Sequence, residues 1–329
     1  MTESVISLSG LSKRYGRVRA LEDVRVEVPP GPVGLLGPNG AGKTTMLKLL
    51  LGLLEPSAGS ARIAGHSPAT RKGRLAMRKV VGYMPEGDCL LPDMSGVELV
   101  ATLARITGLR REDAMTRAHE VLDYVELEEA RYRRLDDYST GMKQRLKLAQ
   151  ALVHDPEILL LDEPTNGLDP KGRRHMLELI EDLGRTQGKN LLLCSHLLPD
   201  VERTCDNVVV LHEGRVVEQG SVGAMTASDG LGVRVGYRGG GDAFRSGLAD
   251  AGYRLEARGE SELLVHVDVG GNGGGGVDAD ADGIFAVAAA TGTAITSLET
   301  VRSSLEEVFL RAVGVGEAQA GGLPPREDG

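Results

Sequence analysis

Eight consecutive residues, Gly37-Pro38-Asn39-Gly40-Ala41-Gly42-Lys43-Thr44, carry the pattern G-x-x-x-x-G-K-[ST]. They stand between an apolar run, Val33–Leu36, and an amphipathic stretch that begins at Thr44. Glycines allow successive backbone N–H groups to curl into a concave anion nest that Cβ atoms would obstruct. A helix starting there adds the partial positive charge of its N-terminus. Lys43 then reaches the β- and γ-phosphates of a nucleoside triphosphate, the Thr44 hydroxyl ligates Mg²⁺, and Thr45 completes the phosphate-binding turn. A Gly-rich turn in a chain with 45 glycines is the plain alternative, and the strand–helix context weighs against it.

A second segment, Ile158-Leu159-Leu160-Leu161-Asp162-Glu163, runs through four apolar residues into two carboxylates. A buried strand ending in Asp beside a phosphate nest holds Mg²⁺ directly or through water. Glu163 is then placed to polarise a water for in-line attack on a γ-phosphate, as general base or orienter. Taken alone, Asp162-Glu163-Pro164 also reads as the start of a surface loop; beside Lys43 the catalytic reading prevails.

Between the two segments stands Tyr138-Ser139-Thr140-Gly141-Met142-Lys143-Gln144-Arg145, and after them Asn166-Gly167-Leu168-Asp169. Together these resemble the ATP-binding cassette family over roughly residues 3–220. The usual signature there is L-S-G-G-Q; here Tyr138, Thr140 and Met142 depart from it, while Ser139, Gly141 and the following K-Q-R keep it. This variant is similar to the exporter branch that handles drugs, lipids and polysaccharides. Ser304-Leu305-Glu306-Glu307-Val308-Phe309 also resembles the C-terminal end of many exporter ATPases.

The resemblance implies roles for further residues. Tyr15, in Lys13-Arg14-Tyr15-Gly16, resembles the aromatic that stacks on adenine. Glu86, in Val81-Gly82-Tyr83-Met84-Pro85-Glu86, occupies the position usually held by a Gln that senses Mg²⁺ and the γ-phosphate. Two readings of Glu86 stand: it faces the metal and phosphate, or it faces the helical subdomain and forms part of a membrane-partner contact. Asp169 resembles the aspartate that couples two nucleotide sites, and His196, closing Leu191-Leu192-Leu193-Cys194-Ser195-His196, the switch histidine. Ser139, Thr140, Gly141 and Met142 are expected to act in trans, on ATP held by a second copy packed head to tail. The expected partners are therefore that copy and separate integral membrane permease subunits, with MgATP as the bound nucleotide. Chromosome-maintenance ATPases insert a long coiled coil, for which the roughly 95 residues from Thr44 to Ser139 leave no room. A cassette ATPase acting in regulation or resistance without a membrane partner is the alternative.

These residues need elements that hold them. From Val5 to Gln219 short apolar strands alternate with helices: Val24–Val28, Val33–Leu36, Val80–Tyr83, Ile158–Leu161, Asn190–Cys194 and Val208–Leu211 read as strands. Lys43–Leu54, Lys143–Val153, Arg173–Arg185 and Leu198–Thr204 read as helices. The pattern predicts an α/β fold around a mainly parallel sheet. Asp93–Tyr138 reads as helix after helix, an inserted helical subdomain spanning about 88–150. The expected organisation is a P-loop ATP-binding domain over 1–220, a small accessory or dimerisation α+β domain over 221–313, and a disordered tail over 314–329. Gly270–Gly276 reads as a flexible loop.

The 329 residues are 41% hydrophobic and 26% charged, the balance of a folded protein with an aliphatic core, since aromatics make up 3%. A net charge of −9 argues against nucleic acid as a partner. Three cysteines without C-x-x-C spacing suggest neither a disulfide framework nor a zinc site. No run approaches the ~18 apolar residues a spanning helix needs, and residues 1–10 lack a signal-peptide pattern. The expected location is the cytoplasmic face of the membrane, reached through the permease.

Overall fold

The computed structural model describes residues 4–87, 89–228, 231–259, 261–267, 277–302 and 304–312. The Gly270–Gly276 loop and the 314–329 tail lie outside the described residues. The chain divides into two units, Met1–Ser221 and Val222–Gly329.

The first unit opens with β1 (Ile6–Tyr15), β2 (Val18–Val28), β3 (Pro32–Leu36), α1 (Lys43–Leu50) and β4 (Ala58–Ile63). Strands β2, β1 and β4 form an antiparallel sheet, which the expected strand–helix alternation did not include. Its alternation is interrupted in the sequence because the β1–β2 register shifts between Leu8 and Leu11 and twice more by Arg14. Helix α1 is shorter than its apolar pattern, because the N–H groups of Leu53 and Leu54 fold back onto the Lys48 carbonyl.

Next come α2 (Arg71–Val80), β5 (Val81–Met84), α3 (Gly96–Ile106), α4 (Arg111–Tyr124) and α5 (Thr140–Leu152). Helix α3 starts on a reciprocal cap, with Glu98 Oε2 accepting the Ser95 N–H at 2.8 Å. Then follow β6 (Ile158–Asp162), α6 (Pro170–Glu181), β7 (Asn190–Ser195), α7 (Leu198–Thr204), β8 (Asn207–His212) and β9 (Arg215–Ser221). The main sheet has the order β5-β6-β7-β3-β8-β9; all of its pairs are parallel except β8–β9. Strands β3 and β6 are buried at every residue, as parallel strands covered on both faces must be. Leu47 and Leu50 of α1 join the antiparallel sheet to β3, β6 and β7 in one aliphatic core.

The second unit contains α8 (Val222–Ser228), β10 (Leu231–Arg238), α9 (Gly241–Asp250), β11 (Arg254–Ala257), β12 (Glu262–Val267), α10 (Val277–Thr291), β13 (Ala294–Arg302) and α11 (Leu305–Ala312). Its sheet is antiparallel with order β11-β12-β10-β13, so β10 to β13 trace a βαββαβ split motif. Alternate residues Val233, Val235, Tyr237, Leu263 and Val265 turn one sheet face to Phe244 and Leu248 of α9 and Ile284 and Ala288 of α10. Among the described residues no helix is long and apolar enough to cross a membrane.

Candidate functional site

Neighbouring strands β6, β7 and β3 end level with one another: Leu36 pairs with Ser195 and Asp162 with Cys194. Ligands of open α/β sheets sit beyond such carboxyl ends. The Gly37–Thr44 turn leaves β3 there and opens α1. Gly42 precedes α1 at φ 109°, and an added Cβ would lie 2.6 Å from the Ala20 carbonyl oxygen, so glycine is required. No side chain caps α1 and no acid stands in its first turn. Its first N–H groups are thus left for an anion.

Lys43 is 7% exposed and folds back over this turn. Its Nζ donates to the Gly37 carbonyl at 2.5 Å and lies 3.5 Å from Glu163 Oε1. Glu163 begins the loop after β6 with φ 51°, a left-handed conformation uncommon outside glycine, and its N–H donates to the Cys194 carbonyl at 2.9 Å. Such strain concentrates at working sites. The other carboxylate oxygen, Oε2, lies 2.8 Å from His196 Nδ1. Two residues distant in sequence, Lys43 and His196, therefore meet on the Glu163 carboxylate.

Asp162 Oδ2 accepts the Thr44 hydroxyl at 3.3 Å. Its Oδ1 is buried and, among the described residues, accepts no hydrogen bond. Burial above all raises the Asp162 carboxyl over its ordinary range; the Thr44 hydrogen bond opposes this, and Glu86 and Glu163 add to it. An orphaned oxygen on a carboxylate costly to ionise, next to a hydroxyl, fits a hard divalent cation.

Glu86 Oε1 accepts from Asn166 Nδ2 at 3.2 Å, and its carbonyl accepts from Lys147 Nζ at 2.8 Å. Lys147 also donates to Pro85 O at 2.9 Å, while Gln144 Nε2 donates to Asn166 O at 3.0 Å. Helix α5 thus holds both loops. Sequence reasoning passed over Gln144 and Lys147 as holding residues; two polar side chains one helical turn apart on the buried face of α5 were the available signal.

Ser139 caps α5, its Oγ accepting the Met142 N–H at 3.3 Å. Ser139, Thr140, Gly141 and Met142 line a cleft of about 790 Å³ with Leu168 and Asp169, and none of residues 37–45 lines it. Asp169 caps α6 through the Gly172 N–H at 3.0 Å. Tyr15, 46% exposed with Lys13 Nζ 5.3 Å from its ring centroid, ends β1 in the hairpin whose Ala20 lies against Gly42.

A Gly-rich turn opening α1, a strand ending in Asp162 beside Glu163, and the Ser139-capped helix α5 belong to one α/β unit. The family description "ABC transporter" matches residues 21–166. Nod factor export ATP-binding protein I of Paraburkholderia xenovorans (strain LB400) is 38% identical over 271 residues, covering 82% of this chain and 88% of that protein. An uncharacterised ABC transporter ATP-binding protein of Bacillus subtilis (strain 168) is 37% identical, covering 66% and 71%. A dimeric ATP-binding cassette solved in a post-hydrolysis state with ADP and Pi is 26% identical with a TM-score of 0.61, covering 66% of this chain and 98% of that one. The structure of an ATP-binding subunit of an ABC transporter is 33% identical with a TM-score of 0.60, covering 68% and 92%. The chain belongs to the ABC transporter family as an ATP-binding subunit, and it is an ATPase.

Proposed function

We propose that two copies of this chain pack head to tail around two MgATP molecules and drive a separate membrane permease, in the direction of export. The observation that carries this reading is the separation of two half-sites. The cleft at Ser139–Met142 contains none of the nest residues, which supports a nucleotide site completed by a second chain. Helix α5 then points the positive end of its dipole at the partner's nucleotide.

In each composite site the nest and Lys43 hold the β- and γ-phosphates, and Tyr15 stacks on adenine. Thr44 and Asp162 would hold Mg²⁺, with Glu86 close by, and the metal would supply charge neutralisation at the phosphates. Glu163 orients the attacking water and takes its proton, and His196 fixes the carboxylate from its other oxygen. The loop carrying Asp169 lies in the same cleft as the signature, which suits a link between the two sites. Export follows the relatives named as export ATP-binding proteins. A subunit serving a permease works at the cytoplasmic face of the membrane. The second unit, at 222–329, is assigned an accessory role in positioning the cassettes.

The half-site reading is tested with mixed dimers. One copy carries Lys43→Ala and the other Gly141→Asp, leaving one composite site with both motifs intact. Hydrolysis at roughly a quarter of wild type in an equimolar mixture, since half of the dimers are mixed and each keeps one intact site, with each variant inactive alone, supports head-to-tail pairing; an inactive mixture contradicts it. The permease reading fails if the full chain purified from its native membranes brings down no polytopic protein.

A further inference from the structure

Asp200 belongs to no phosphate, metal or signature motif, yet it is a carboxylate only 1% exposed. Its Oδ2 accepts the Thr165 hydroxyl at 2.6 Å. Its Oδ1 accepts from Arg173, with Nε at 2.7 Å and the second guanidinium nitrogen also at 2.7 Å. Thr165 stands two residues after Glu163, Arg173 four after Asp169, and Asp200 four after His196. One side chain therefore touches, within the same subunit, the segments that carry the base, the coupling aspartate and the histidine.

The helix bearing Asp200 is itself fixed from the opposite side. Val201 of α7 packs on Gly34 of β3 so closely that a Cβ on Gly34 would lie 2.2 Å from Val201 Cγ1. The Thr204 hydroxyl donates to the Asp200 carbonyl at 2.7 Å and closes the helix. Strand β3 leads directly into the phosphate nest. Helix α7 is accordingly seated against the strand beneath the nest, while Asp200 reaches the loops beyond β6.

We infer that Asp200 is a positioning residue for hydrolysis: through Thr165 it sets the loop that aims Glu163, and through α7 it places His196 against the same carboxylate. Buried carboxylates that accept a hydroxyl and a guanidinium hold both in a narrow geometry, because moving either strands a charge out of water. A sub-ångström displacement of a catalytic base is enough to slow its step. Arg173, at the first turn of α6 behind Asp169, extends the same tie to the loop that shares a cleft with Ser139–Met142. This inference rests on the assignment of Glu163 as the base, and asks in addition what holds it there.

The test compares Thr165→Val, which keeps the shape and removes the hydroxyl, with Thr165→Ser, which keeps the hydroxyl. Asp200→Asn and the double variant Thr165→Val/Asp200→Asn complete the set. Steady-state ATP hydrolysis and thermal unfolding are measured on the full chain. Thr165→Val and Asp200→Asn are each expected to lower kcat by about tenfold or more, with KM for ATP within about twofold of wild type. Thr165→Ser should restore wild-type kcat, and the double variant should be no slower than Asp200→Asn alone, since the two act through one contact. Unchanged kcat in Thr165→Val, or a loss of kcat that only follows the fraction unfolded at the assay temperature, overturns the inference. Should Asp200→Asn fail to fold, the Thr165 pair decides alone. Wild-type activity that survives Glu163→Gln would instead remove the assignment of the base, a distinct failure.

Discussion

His196 Nδ1 lies 2.8 Å from Glu163 Oε2, while Oε1 of the same carboxylate lies 3.5 Å from Lys43 Nζ. The glutamate is held between the histidine after β7 and the lysine of the nest. Phosphate oxygens entering the nest compete with Glu163 and with the Gly37 carbonyl for Lys43. On the proposed assignment of Glu163 as the base, nucleotide binding would free that base as it draws Lys43 away.

Tyr15 offers an exposed ring at the end of β1 rather than a core side chain. Aromatic stacking on a base contributes about 1–2 kcal/mol beyond simple burial and is nearly equal in ground and transition states. Tyr15→Ala should therefore raise the KM for ATP roughly 5- to 30-fold with a smaller change in kcat. An unchanged KM in steady-state assays would make Tyr15 a packing residue.

Asp162 carries a stability cost imposed by its burial. Its folded carboxyl holds its proton above the ordinary carboxylate range because of burial. The folded state thus binds the proton more tightly than the unfolded chain, so this group favours folding most below the ordinary carboxylate pKa. That contribution is lost as pH rises through the raised folded value. Asp162→Asn should accordingly raise the metal-free Tm at pH 7.5 by about 2–4 °C, and the gain should shrink on acidification. Calorimetry without nucleotide and with a chelator checks this; a lower Tm for Asp162→Asn at pH 7.5 would contradict it.

Gly34 is a packing constraint with a measurable cost. An added methyl must displace Val201, so Gly34→Ala should destabilise the chain by roughly 1–3 kcal/mol. Val201→Ala, in the same chain, should recover part of that loss, because it removes the atom that clashes. Denaturant unfolding of the single and double variants measures both, and additive losses would place the strain elsewhere.

The nest was legible because its chemistry is local: Gly37 to Thr44 supply both the turn and the charge within eight residues. Strands β3, β6 and β7 were legible too, since burial on both faces leaves unbroken apolar runs. Of the β2-β1-β4 sheet only Val24–Val28, within β2, was legible; in β1, register shifts between Leu8 and Arg14 erase the two-residue period. Asp200 was equally hidden. Its partners, Thr165 and Arg173, lie 35 and 27 positions away, and only the packing of α7 and α6 joins them. Gln144 and Lys147 offered only their one-turn spacing as a signal; their partners at Glu86 and Asn166 emerge when α5 packs against those loops.

Substitution of Glu163 by Gln tests the account most directly, because it keeps the shape at the junction of Lys43 and His196 and removes only the base. Turnover is followed together with light scattering at saturating MgATP. A fall in kcat of at least ~10²-fold, with ATP binding retained and an ATP-dependent dimer accumulating, is the predicted result. Near-normal turnover, or a chain that stays monomeric with ATP bound, would contradict it.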